Sequence, residues 1–201
     1  MKVVSDRWYR AICFFLRGCL RFCHPIVHIQ GRESLPKGAA MLCCNHSALS
    51  DPIWVISMAK LPHLPRSMSK KELIDTPLIG KLCRKLGAFP VDRGQTDIGA
   101  IKTAMQTLKN DIPVLIFPEG TRISKDKASE AHSGAMLLAT RMKVPVVPIY
   151  LSTKKHFWQP VKLIYGEPYM PQYAGAKPTQ EELEALSVEL MQKIYAMGEE
   201  Q

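Results

Sequence analysis

The sequence has no apolar run long enough to span a bilayer. Its longest early stretch, AICFFL (Ala11–Leu16), covers six residues before Arg17 interrupts it, against the roughly 20 that a spanning helix needs. No small-residue cleavage site of the secretory kind follows the N-terminal segment, so a leader peptide is not expected. The six cysteines (13, 19, 23, 43, 44 and 83) form no C-x-x-C pair, which argues against a disulfide framework. Cys43, Cys44, His46, His63 and Cys83 likewise lack the paired spacing of a structural zinc site. Small, buried thiols in a reducing, cytosol-facing setting are expected instead, with no metal. A G-x-S-x-G elbow is missing too, which excludes the usual serine hydrolase. Acidic residues are scarce: 27 Lys+Arg stand against 18 Asp+Glu, a net charge of +9. The partner should therefore be anionic, whether nucleic acid, bilayer or phosphate-bearing substrate. No basic segment carries interleaved aromatics able to stack bases, and nucleic acid drops out.

What the N-terminus does contain is an amphipathic arm, residues 1–25. Plotted on a helix, Arg7, Arg10, Arg17 and Arg21 fall in a stripe about 80° wide, with Trp8, Ile12, Phe15, Leu16, Cys19 and Cys23 on the opposite side. Such a helix suits the headgroup boundary of an anionic leaflet. An ordinary surface helix packed on the core would also bury one face. The purely basic polar side favours the membrane, giving a peripheral, monotopic protein on its cytoplasmic side.

From residue 26 to 201, β-like runs alternate with helical patterns, the pattern of one α/β domain with a largely parallel mixed sheet of about seven strands flanked by helices. Strands are expected at 26–30, 39–44, 66–69, 88–91, 114–117, 144–150 and 161–165. Helices are expected at 52–59, 76–86, about 98–108 and 133–142. Thr179 and Glu182 form a capping box ahead of Leu183, Leu186, Leu190 and Ile194, so a last helix closes the domain. Polar and special-conformation residues therefore gather where strands end and helices begin, the edge at which open α/β sheets bind ligands.

Three loop-like segments stand there: NHSALSD (45–51), GAFPVDRG (87–94) and FPEGTR (117–122). In the first, His46 and Asp51 are five apart, which on a continuous helix would turn them about 140° from each other. They can meet if Asn45–Ser47 lie in the loop and Asp51 sits in the first helical turn, where Pro52 is tolerated. In the third, Gly120 lets the chain turn and leaves Glu119, Thr121 and Arg122 pointing out of the strand end. Arg93, Arg122 and Lys70 or Lys71 together would supply planar forks and a point charge for a phosphate monoester.

These segments, with VPVVPI (Val144–Ile149), resemble the four ordered blocks of the glycerolipid acyltransferase family, most closely the 1-acylglycerol-3-phosphate acyltransferases. The resemblance runs from about Gly38 to Tyr169 and includes Lys70, Glu72 and Leu73 in the family's lysine-x-glutamate-leucine pattern. It implies transfer of a fatty acyl group from an acyl thioester, carried on coenzyme A or acyl carrier protein, to the sn-2 hydroxyl of lysophosphatidic acid. No further cofactor is implied. His46 would be the general base and Asp51 would hold its tautomer, while Lys70, Arg93 and Arg122 grip the phosphate. Asn45, Glu119, Gly120 and Thr121 would complete the acceptor site. The hydrophobic fourth block reads as a buried strand, with acyl contact as its alternative. Acceptors other than lysophosphatidic acid, such as glycerol 3-phosphate or another lysophospholipid, fit the same blocks. Two rival readings are a Cys43 or Cys44 nucleophile with an acyl-enzyme, and a non-enzymatic basic membrane binder that leaves His46 and Asp51 unexplained.

Overall fold

A computed structural model of the protein describes residues 6–92, 97–119 and 132–199. Strand β1 (Val27–Gln30) follows helix α1 (Asp6–Cys23), and β2 (Met41–Cys44) leads into α2 (Asp51–Ala59). Next come β3 (Arg66–Lys70), the short α3 (Lys71–Ile74), α4 (Pro77–Lys85) and β4 (Phe89–Val91). Then α5 (Ile98–Lys109), β5 (Val114–Ile116), α6 (Gly134–Met142), β6 (Val146–Leu151), β7 (Val161–Tyr165) and α7 (Gln180–Glu199) complete the order. All seven expected strands form, within two residues of their expected ends. The last helix is capped as its sequence predicts: Thr179 N donates to the Glu182 carboxylate at 2.8 Å and Glu182 N donates to Thr179 Oγ1 at 3.2 Å.

The strands make one sheet in the order β1-β7-β6-β2-β5-β3-β4. Every pairing is parallel except β6 with β7. Five neighbours, β6, β2, β5, β3 and β4, therefore all end at the same edge. Central strand β2 is buried on both faces, as an interior parallel strand must be. Leu42 and Cys44 enter a core with α1 and α2, whereas Met41 and Cys43 enter a second core with α5, α6 and α7. The alternation of side chains along the strand splits the adjacent cysteines between opposite faces. The VPVVPI block lies in β6, where Val146, Val147 and Ile149 are fully buried.

Helix α1 departs from the two-sided arm expected of it. Tyr9 and Cys13 belong to the core, and Tyr9 Oη donates to the Pro65 carbonyl at 2.7 Å. Trp8, Phe15 and Phe22, spaced by seven and hence nearly in line on a helix, remain 73, 69 and 76% exposed. The apolar part of this helix is thus two faces, one packed and one open. Among the described residues, no helix is long and apolar enough to cross a membrane.

Candidate active site

At the shared strand edge the chain leaves β2 and wraps around one carboxylate. Asp51 opens α2, with Pro52 behind it in the first turn, so the preceding residues approach in loop conformation. Asp51 Oδ2 faces His46 Nδ1 at 3.0 Å and accepts the backbone N–H groups of Ser47 at 2.6 Å and Ala48 at 2.7 Å. The helix N-terminus also favours a negative charge there. With Nδ1–H committed to the carboxylate, Nε2 is left with its lone pair. Phe117 stacks on the imidazole with ring centroids 4.3 Å apart and 28° between planes. Lys155, from the segment after β6, places Nζ 2.9 Å from Asp51 Oδ1. The side chains of Asp51, Lys155 and His46 are only 1, 6 and 10% exposed. Burial works to raise the Asp51 carboxyl, but the His46 hydrogen bond, the Lys155 charge and the two amides outweigh it and hold the group below its usual value of 3.8.

Asn45 and Glu119 frame this pair from the neighbouring strands. The Asn45 carboxamide is buried and engaged mainly with Leu151: it donates to the Leu151 carbonyl and accepts from the Leu151 N–H, both at 2.8 Å. It ties the end of β2 to the end of β6 and turns the chain toward His46. Glu119 Oε2 accepts the His46 backbone N–H at 3.0 Å, while Tyr195 Oη of α7 donates to Oε1. Burial pushes the Glu119 carboxyl up, against the lowering effect of those two donors. Lys70 ends β3, its side chain 53% exposed and its Nζ 3.4 Å from Glu72 Oε1. The register sets Lys70 beside Val91, two residues before Arg93. Arg93, Gly120, Thr121 and Arg122 lie outside the described residues.

The cysteine nucleophile loses its footing on geometry and charge. Both thiols are fully buried, Cys43 on the face away from α2. Burial drives the Cys43 thiol far up, and for Cys44 burial and the nearby Asp51 charge do the same, so neither is poised to form a thiolate.

An apolar cavity of about 370 Å³ opens beside the first turn of α2, where Leu49, Ser50, Pro52 and Ile53 form its near wall. Tyr9 and Cys13 of α1, Ile79 and Leu82 of α4, and Ser67 and Ser69 of β3 enclose the rest.

The Acyltransferase family model matches residues 26–152. The 1-acyl-sn-glycerol-3-phosphate acyltransferase of Bacillus subtilis (strain 168) is 35% identical over 174 residues, covering 84% of this chain and 86% of that protein. The chain belongs to this acyltransferase family. Among other members, the 1-acyl-sn-glycerol-3-phosphate acyltransferase of Streptococcus pneumoniae is 34% identical over 125 residues, 61% of this chain but 46% of the relative. The fold is similar to the crystal structure of the 1-acyl-sn-glycerophosphate (LPA) acyltransferase PlsC from Thermotoga maritima, with a TM-score of 0.71 at 22% identity, covering 100% of this chain and 85% of that one.

Sequence reasoning about the acyltransferase site missed Lys155, Tyr195 and Phe117. A signal for Lys155 existed. Parallel pairing of β2 with β6 sets Cys44 beside Ile149, so residues shortly after Leu151 must run alongside His46 and Ser47. Tyr195 carried no such signal, because the docking of α7 is decided by packing far along the chain.

Proposed function

We propose that this chain transfers a fatty acyl group from an acyl thioester to the sn-2 hydroxyl of lysophosphatidic acid, giving phosphatidic acid. The observation that carries the reading is the 3.0 Å approach of His46 Nδ1 to Asp51 Oδ2 in a member of this family. Nε2 of His46 takes the proton as the acceptor hydroxyl attacks the thioester carbonyl, and Asp51 offsets the positive charge that develops. The tetrahedral intermediate then breaks its C–S bond, and the departing thiolate takes the proton from His46. The lipid alcohol is itself the nucleophile, so both substrates are bound together and no acyl-enzyme forms. Lys70, Arg93 and Arg122 hold the phosphate, with Glu119, Gly120 and Thr121 shaping the pocket around the glycerol. Asn45 contributes by bracing the loop, since both ends of its amide already serve Leu151. The apolar cavity beside α2 takes the acyl chain of the donor, coenzyme A or acyl carrier protein being its carrier.

Residues 1–25 act as a membrane-docking arm and 26–201 as the catalytic domain. The open stripe of Trp8, Phe15 and Phe22, on a helix that also carries a stripe of arginines, suits an anionic leaflet. That reading makes the enzyme peripheral on the cytoplasmic side, collecting its acceptor from the surface it rests on.

The test is to incubate the purified protein with lysophosphatidic acid and a labelled acyl thioester and to follow labelled phosphatidic acid. Cys43→Ala and Cys44→Ala should retain most activity and His46→Ala almost none. Product from His46→Ala together with none from the cysteine variants would overturn the assignment. A panel of glycerol 3-phosphate and other lysophospholipids under the same conditions ranks the acceptors.

A further inference from the structure

Lys155 has no place in the mechanism so far, yet three oxygen atoms surround its ammonium group. Its Nζ lies 2.9 Å from Asp51 Oδ1, 2.7 Å from Ser47 Oγ and 2.7 Å from the Ser152 carbonyl. An ammonium has three protons, and here it has three oxygen neighbours. Two of those protons go to Ser47 Oγ and the Ser152 carbonyl, and the charge faces Asp51 Oδ1 in a side chain only 6% exposed, so Lys155 acts first through the groups it touches. Two of them are the carboxylate that orients His46 and the hydroxyl of the residue after His46. Burying a lysine is costly unless it is paired, and the partner chosen is the oxygen of Asp51 that His46 and the loop amides leave open: Oδ1 has no in-line hydrogen-bond donor among the described residues, only the ammonium facing it.

We propose that Lys155 is a positioning residue of the His46–Asp51 pair, fixing the carboxylate from behind and keeping the imidazole in its proton-accepting form. The charge count explains how. Asp51 alone beside His46 would favour the imidazolium, a base already used. Asp51 with Lys155 is a neutral pair, so a proton arriving on His46 makes the cluster positive in a poorly solvated site. Among the described residues, the other titratable groups facing His46 and Asp51 are Glu119 after β5, with Tyr195 of α7 behind it, and the neutral Cys44 thiol of β2. Of these only Glu119 can carry charge near neutrality. It is negative and pulls the other way, which leaves Lys155, among the described residues, as the cation restraining protonation.

The inference rests on the proposed general-base role for its kinetic consequence but not for its direct test. Lys155→Met, Lys155→Gln and Lys155→Arg are compared with wild type by NMR titration of the His46 ring, identified by its loss in His46→Ala. The imidazole of the two neutral variants should titrate about one pH unit or more above wild type, and that of Lys155→Arg should stay close to it. In acyl transfer, the acid limb of kcat/KM should move up by the same amount, so that activity lost at the limb, up to about tenfold, returns at higher pH. An unmoved titration in both folded neutral variants overturns the proposal, as does failure of both to fold while Lys155→Arg folds, which would make the ammonium a stabilising element alone. A shifted titration in a protein that makes no phosphatidic acid would leave Lys155 in place and sink the proposed function instead.

Discussion

The two halves of the site are built on opposite plans. Around His46 and Asp51 the polar groups are largely sheltered and held by close partners: Ser47, Ala48, Lys155 and Glu119. On the β3 side, Lys70 stands half exposed, and Glu72, its ion-pair partner, is more exposed still. Proton transfer, the role proposed for that half, needs its partners held to a fraction of an ångström, and a low-dielectric, hydrogen-bonded shell supplies that. Gripping a phosphate on a lipid that arrives from a surface needs charge and reach more than fixed geometry. Substitutions in the buried half should therefore damage kcat, and substitutions in the exposed half should damage acceptor KM and its salt dependence.

The largest effect is expected at His46. His46→Ala should lower kcat by about 10³-fold or more, measured by initial rates at saturating substrates. Asp51→Asn should cost about 10²-fold or more in kcat and should also cost stability. Because the Asp51 carboxyl is held below its usual 3.8 in the fold, its ionised form contributes stability that is present above that value and is lost as pH falls through the lower folded value. The difference in Tm between wild type and Asp51→Asn should accordingly narrow in melts taken below pH 3.8. A difference that widened there would contradict the charge assignment.

Replacing Trp8, Phe15 and Phe22 together by Ser should remove most co-sedimentation with anionic vesicles while leaving turnover of micellar acceptor near normal. Deleting the whole helix would be a poorer test, since Tyr9 and Cys13 would leave the core with it. Lys70→Ala should raise the acceptor KM by about tenfold or less, leave kcat close to wild type, and flatten the salt dependence of kcat/KM. A fall in kcat with unchanged KM would place Lys70 with the buried half. Outside the site, Thr179→Ala should lower stability by about 1 kcal/mol, seen in denaturant unfolding, with no change in rate.

The same contrast separates what could be read in the sequence from what could not. Strand β2, β6 and the Thr179 cap were legible because burial on both faces and the capping box leave local marks. The meeting of His46 and Asp51 was legible because a five-residue spacing with Pro52 next to it admits few geometries. Lys155 and Tyr195 were not, since their partners come from 108 residues away at Ser47 and 76 residues away at Glu119, and only the assembled strand edge brings them in. The second apolar face of α1 was hidden for a related reason: at helical spacing, core-facing and open-facing residues both count as apolar until the packing partner is known.

The claim beneath all of this is that the acceptor's own hydroxyl attacks the thioester, with His46 drawing off its proton. It is tested most directly by intact-protein mass spectrometry of wild-type enzyme mixed with acyl thioester in the absence of acceptor, quenched on the timescale of one turnover. The chain should keep its unmodified mass until lysophosphatidic acid is added, and phosphatidic acid should then appear. A chain heavier by one acyl group, formed as fast as turnover and discharged by the acceptor, would contradict it.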